Sequence, residues 1–257
     1  MDPWGHRYAN PKLPAAYNGV VAATVDPYPT STAPVPRGLS RRAFLRLCGG
    51  GFASVGATAG YARFVEPRWP AVESLDMDLP ALAPEFSGLR LIQLSDLHIS
   101  PEVSMDYLRA EFHRCVAMAP DLVVLTGDYI TAADGRFAND LLGLLRILRA
   151  PLGVFAVLGN HDCGIYHGFM PIRVGPTIAN QTSDLLAAGG ATVLRNTRYV
   201  LERGQARLQL VGLDDLWSRF CDPPRAFAEV EPAVPCIALA HNPDTIVDLK
   251  EQPCDWV

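Results

Sequence analysis

The 257-residue sequence lacks the features that would place it in several large classes of protein. It has no Cys-x-x-Cys pair. Its six cysteines (Cys48, Cys115, Cys163, Cys221, Cys236 and Cys254) are scattered, which suits neither zinc-finger spacing nor a disulfide framework in a chain this long. They read as buried free thiols, with a single disulfide at most. Neither Gly-x-Gly-x-x-Gly nor Gly-x-x-x-x-Gly-Lys occurs, which argues against a nucleotide-cofactor enzyme. The uncharged run Leu47 to Ala62 is too short and too rich in glycine to read as a membrane span. A basic surplus is also missing from the bulk of the chain. Residues 1–70 hold eight Lys/Arg against three Asp/Glu, leaving fourteen against twenty-four for residues 71–257 out of totals of 22 and 27. That acidic balance argues against nonspecific nucleic-acid binding, and no nucleic-acid partner is expected. A phosphate substrate remains compatible with it if metal cations reverse the local field.

What is present is a globular balance, 49% apolar and 19% charged, enough for one sizeable domain with appendages. Residues 1–36 contain seven prolines and no apolar periodicity, and read as a disordered leader or an upstream mis-start. Next comes Ser40-Arg41-Arg42-Ala43-Phe44-Leu45-Arg46, followed by the uncharged run and by Ala57-Thr58-Ala59, an A-x-A cleavage pattern. This stretch, within residues 37–62, resembles a twin-arginine export signal, although its leader is unusually long. The resemblance implies the twin-arginine export machinery as a partner and a periplasmic or cell-envelope location. An uncleaved signal would add membrane association. Residues 63–87 read as a linker leading into a domain over 88–257.

From Leu89 onward the pattern alternates between short apolar runs of strand length and helical periodicity. Leu89 to Leu94 reads as a strand ending in Ser95-Asp96-Leu97-His98. If the extended backbone persists, Asp96 and His98 project to one side. A helix follows, with Leu108, Phe112, Cys115, Val116 and Ala119 on one face and Pro120 at its end. Asp121 to Thr126 is the second strand, ending in Gly127-Asp128. Leu141 to Leu148 is a leucine-rich helix closed by Pro151. Val154 to Leu158 is the third strand, ending in Gly159-Asn160-His161-Asp162. A less regular region has strand-like runs near 191–195 and 207–212. Cys236 to Ala240 then forms a strand ending in His241-Asn242.

Ligands of open α/β sheets gather beyond the carboxyl ends of the strands. Here four such ends carry Asp-x-His, Gly-Asp, Gly-Asn-His-Asp and His, and Gly127 and Gly159 let the backbone approach closely. Carboxylate, imidazole and amide oxygen without thiolate suit Mn, Fe, Zn or Co. Asp128, alone at its strand end, is placed to bridge two ions. Other polar residues have plainer readings. His113 lies off the apolar stripe of its helix and is expected in solvent. Tyr166 and His167 read better as loop than as cleft lining. Asp214-Asp215-Leu216-Trp217 reads better as a capping turn than as catalytic.

The order of these motifs resembles the calcineurin-like metallophosphoesterase family over about residues 88–257. With the arginine signal, it is similar to that family's exported phosphodiesterase-like branch. The resemblance implies an αββα sandwich, two mixed sheets flanked by helices, with two divalent metal ions. Asp96, His98 and Asp128 would hold one ion, and Asp128, Asn160 and His241 the other. His161, oriented by Asp162, would be a general acid and not a ligand. The implied reaction is hydrolysis of a phosphomonoester or phosphodiester, of small-molecule, lipid or cell-envelope type, by a metal-bound hydroxide.

One departure bears on this. The family's last metal motif, Gly-His-x-His, follows a strand after the single histidine, whereas here no histidine follows His241 and Cys254 to Val257 resembles the start of that strand. The expectation is therefore a sandwich incomplete at its C-terminus, with three of four protein ligands per ion. The rival reading is a truncated, non-catalytic relative that binds metal or phosphate weakly.

Overall fold

The run Leu-Val-Val-Leu at 122–125 (β2) is buried at every position, as suits a central strand covered on both faces. It pairs in parallel with Leu91–Leu94 (β1) on one side and with Val154–Ala156 (β3) on the other. Thr192–Val193 (β4) adds a fourth parallel strand beside β3. These relations come from a computed structural model that describes residues 39–66, 69–79, 81–131, 135–165 and 175–257. The proposed leader, Tyr166 and His167 lie outside the described residues.

Side chains alternate across this sheet as period two requires. Val123, Leu125, Ala156 and Leu158 face a core shared with the helices Met105–Ala117 (α2), Ala138–Leu145 (α3) and Pro176–Ala188 (α4). Leu122, Val124, Phe155 and Val157 face the other way, against a second sheet. That sheet is the antiparallel pair Thr197–Arg203 (β5) and Ala206–Gly212 (β6), joined in parallel by Cys236–Leu239 (β7). Its outer face, with Val211, Leu213, Cys236 and Ala238, is covered by Ala226 and Phe227 at the short helix Pro223–Ala226 (α5) and by Leu249. The layers are helices, sheet, sheet and a thinner helical cover, the α/β sandwich expected.

Several details differ from the expectation. The first sheet is parallel throughout and only the second is mixed. Helix crossovers through α2 and α3 return the chain each time to the same sheet end, which forces parallel pairing. The less regular region contains α4 and the strand β5. Three of β5's seven residues are exposed and it forms the edge of its sheet, so its sequence shows little apolar signal. The linker expected over 63–87 is partly core, since Leu79 and Phe86 are buried between the sheets. Near the C-terminus, Trp256 makes a single parallel bridge to Ile237 of β7.

The chain divides into two units, 1–60 and 61–257. In the first, the helix Arg41–Phe64 (α1) begins behind Ser40, whose Oγ accepts the Ala43 N–H at 3.2 Å, an N-cap. Among the described residues, no helix is long and apolar enough to cross a membrane.

Candidate metal centre

Leu94, Leu125 and Ala156 stand side by side in the register of β1, β2 and β3, so their carboxyl ends open on one edge of the sheet. The first two loops stay paired beyond the strands. Asp96 N–H donates to the Gly127 carbonyl and His98 N–H to the Asp128 carbonyl, both at 3.0 Å. The conformation there is not extended, however. Asp96, His98 and Asp128 have φ of 55°, 42° and 57°. The expected reason for Asp96 and His98 sharing a side is thereby replaced: left-handed turns, rather than strand alternation, bring them together. Left-handed backbone at non-glycine residues costs on the order of 1–3 kcal/mol each and persists where the surroundings enforce it.

Two glycines allow the loops to meet. A Cβ on Gly127, whose φ is +100°, would stand 2.5 Å from the Gly159 nitrogen. A Cβ on Gly159 would stand 2.2 Å from Asp128 Oδ1. Only two residues without side chains pass at this distance. Asp162, 2% exposed, ties the same loops together. Its Oδ2 accepts the N–H groups of Asp128 and Gly159 at 2.7 and 2.8 Å, and its Oδ1 accepts that of Tyr129 at 3.1 Å. Burial pushes its carboxyl up to about 7, against the pull of those N–H donors. Asp162 is therefore a brace between loops. The His161 ring, expected to be oriented by Asp162, is instead held through Nδ1 by the Thr131 carbonyl at 2.8 Å.

The side chains converge on Asp128, which is 3% exposed. Its Oδ2 lies 3.5 Å from His98 Nε2 and 3.9 Å from His161 Nε2, while its Oδ1 lies 3.5 Å from His241 Nε2. His98 Nε2 is also 3.5 Å from Asp96 Oδ1. Asn160 Oδ1 is 3.2 Å from His241 Nε2. The ligand-type atoms of His98, Asp128 and His161 lie within 4.8 Å of one another, as do those of Asp96, Asp128 and His241. All five expected ligands are thus brought together, and His161 stands with them and not behind them.

The protons decide what such a cluster can hold. His241 Nδ1 is 2.8 Å from the Thr126 carbonyl, which can only accept, so this nitrogen carries hydrogen. In the neutral ring Nε2 then presents a lone pair to the cluster. Asn160 Nδ2 donates to the Ile165 carbonyl at 2.9 Å, which turns Oδ1 inward. An imidazole lone pair, an amide oxygen and a carboxylate oxygen therefore face one another at 3.2–3.5 Å. Acceptors at that distance repel unless a cation sits among them. The donor set, hard oxygen with imidazole and no thiolate, fits Mn, Fe, Zn or Co, and the backbone carbonyl on His241 Nδ1 is the usual partner of a metal-ligating histidine. The residues fit divalent ions.

The plainer readings also have structural counterparts. His113 is exposed on α2. Asp214 is held by Arg195, whose Nε and Nη2 donate to it at 2.9–3.1 Å. Asp215 accepts the Ser218 N–H at 2.6 Å in a turn. Sequence reasoning missed the carbonyls of Thr126 and Thr131 as ring holders, because a main-chain acceptor leaves no mark on residue identity.

Comparison with known proteins agrees with this geometry. Residues 89–256 match the model of a family described as calcineurin-like phosphoesterase. The UDP-2,3-diacylglucosamine pyrophosphatase LpxG of Chlamydia muridarum (strain MoPn / Nigg) is 32% identical over 232 residues, spanning 77% of this chain and 70% of that protein. The phosphodiesterase YaeI of Escherichia coli (strain K12) is 30% identical over 217 residues, spanning 84% and 75%. The uncharacterized metallophosphoesterase YkuE of Bacillus subtilis (strain 168) is 30% identical over 221 residues, spanning 84% and 73%.

The glycine contact gives a direct test. Gly159→Ala places a methyl group where Asp128 Oδ1 now lies. We expect a folded protein, shown by an unchanged far-ultraviolet circular dichroism spectrum, whose metal content by elemental analysis falls at least tenfold. Full metal content in Gly159→Ala would show that the close approach is dispensable.

Proposed function

Because this chain belongs to the calcineurin-like phosphoesterase family and is a hydrolase, we propose that it hydrolyses a phosphomonoester or phosphodiester at a pair of divalent metal ions. The observation that carries the reading is the division of Asp128. One oxygen faces His98 and the other faces His241, with Asp96 beside the first group and Asn160 beside the second. Asp96, His98 and Asp128 would hold one ion, and Asp128, Asn160 and His241 would hold the other. When bound, such ions place positive charge against the phosphoester oxygens and polarise a water toward nucleophilic attack.

The chain's own groups do the rest. His161 donates Nδ1–H to the Thr131 carbonyl, which leaves Nε2 as the atom that faces the reacting group. As general acid it acts in its doubly protonated form, passing the Nε2 proton to the departing alkoxide and keeping Nδ1–H on the Thr131 carbonyl, a contribution of order 10²–10⁴-fold. Asp162 keeps Asp128 and Gly159 in place through their N–H groups. The substrate class is a small-molecule, lipid or cell-envelope phosphoester. What supports this is that one relative is named a UDP-2,3-diacylglucosamine pyrophosphatase and another a phosphodiesterase.

The test uses bis-(p-nitrophenyl) phosphate with Mn²⁺. We expect turnover by the wild type, at least a hundredfold loss in His161→Asn with metal content retained, and loss of metal and turnover together in Asp128→Asn. If His161→Asn strips metal as thoroughly as Asp128→Asn, His161 is a ligand and the acid lies elsewhere. No turnover by a metal-loaded wild type on mono- or diester would refute the reading.

The same reading places the protein outside the cytoplasm, in the periplasm or cell envelope, through twin-arginine export. Its supports are Ser40-Arg41-Arg42-Ala43-Phe44-Leu45 and the apolar helix that Ser40 caps. An uncleaved α1 also gives the mature protein a means of membrane association. Arg41→Lys with Arg42→Lys preserves charge but removes both guanidinium groups, and we expect the double variant to stay in the cytoplasmic fraction. Unchanged fractionation outside the cytoplasm would contradict the export route.

A further inference from the structure

The turn after β6 carries a charge that the reaction described above does not use. β6 ends at Gly212, and Leu213 N–H still reaches the Leu239 carbonyl of β7 at 2.9 Å. Asp214 and Asp215 therefore emerge beside the end of β7, close to His241. Both acids are buried, 4% and 0% exposed, yet they are not equivalent. Asp214 is matched by the Arg195 guanidinium. Asp215 Oδ2 takes the Ser218 N–H, whereas Asp215 Oδ1 is, among the described residues, the buried side-chain atom without a hydrogen-bond partner.

A buried carboxylate oxygen without a donor is costly. The turn does not require it. Asn or Ser would offer Ser218 the same acceptor without the charge. What lies near Asp215 is the metal centre: the His241 imidazole and the Asp128 carboxylate act on its charge with opposite signs. It is not one of the atoms that cluster within 4.8 Å as ligands. Burial raises the Asp215 carboxyl above the ordinary carboxylate range, and the N–H groups of Ser218 and Trp217 together with the His241 imidazole offset this only in part, so the charge behind the His241 side of the site is incompletely balanced by the chain.

We infer that Asp215 is a positioning residue for the metal pair, a buried carboxylate whose charge the chain compensates only in part and the ions complete. The inference rests on the metal-dependent reading above and adds to it a residue outside the ligand set. It has a sign that a purely structural role lacks. Without metal, Asp215 destabilises the fold. With metal, it strengthens binding at the group formed by Asp128, Asn160 and His241.

The test compares full-length wild type with Asp215→Asn by thermal unfolding, with and without Mn²⁺, and by Mn²⁺ titration against a competing chelator. We expect Asp215→Asn to unfold at the same or a higher temperature without metal. It should bind Mn²⁺ about ten- to a hundredfold more weakly and lose most of the Mn²⁺-dependent rise in melting temperature. Asp215→Ser, which can still cap Ser218, should behave alike. A metal-free Asp215→Asn that melts lower than wild type while keeping wild-type Mn²⁺ affinity would make Asp215 a turn residue and overturn the inference. Failure of both variants to fold would do the same. A wild type that shows no Mn²⁺-dependent shift would overturn the metal reading itself, and with it this one.

Discussion

The mutual repulsion of acceptor groups around Asp128 is the constraint on which the rest of the site depends. Two carboxylates, an amide oxygen turned inward by its own N–H donation, the His98 ring, and the His161 and His241 rings, each tied to a carbonyl through Nδ1, all meet in one small volume. With His241 neutral and its proton on Nδ1, its Nε2 finds no donor in Asn160 Oδ1 or Asp128 Oδ1. The cluster is an assembly that stores unfavourable electrostatics until positive charge arrives. For this reason its metal affinity and its conformational cost are two sides of one quantity.

The scaffold supplies the force that holds these groups together. Parallel pairing of β1, β2 and β3 aligns three strand ends, and the main-chain bonds of Asp96 and His98 to Gly127 and Asp128 continue that alignment through left-handed turns. The contact between Gly127 and Gly159 closes the gap between loops, and Asp162 fastens it with three N–H groups. Tyr129, fully buried, reaches the Leu125 and Val157 carbonyls at 3.0 and 2.7 Å and ties the same strand ends from beneath. The strain at Asp96, His98 and Asp128 is sustained because several hydrogen bonds over-determine each turn. Asp215 fits the same picture as a buried carboxylate that its turn satisfies at one oxygen only.

Much of this was legible in the sequence because burial and chemistry change abruptly at the strand ends. An apolar run such as Val154 to Leu158 followed by Gly-Asn-His-Asp announces both a core strand and a polar site. The same contrast located Asp96, His98, Asp128 and His241. Where the contrast was absent the reading failed. β5 alternates at a sheet edge with polar residues, and α4 buries only Ala179, Thr182 and Leu186, so neither announced itself. Main-chain partners were also invisible, which is why His161 was assigned to Asp162 and not to the Thr131 carbonyl. The left-handed turns in Ser-Asp-Leu-His were missed because the strand's alternation was continued past Leu94, although Asp and His are among the non-glycine residues that most often adopt that backbone. Asp215 was seen as a turn residue, which it is. The unmatched oxygen appears only once the neighbouring strands are in place.

Positive charge held at Asp128 is what the whole site requires. Crystals of the protein grown with Mn²⁺ and measured at the manganese absorption edge examine this without reference to any substrate. Two anomalous peaks roughly 3.5–4 Å apart, one on each side of the Asp128 carboxylate, are expected. Anomalous density absent from Asp128, or a single ion bound elsewhere on the acidic surface, would contradict that requirement.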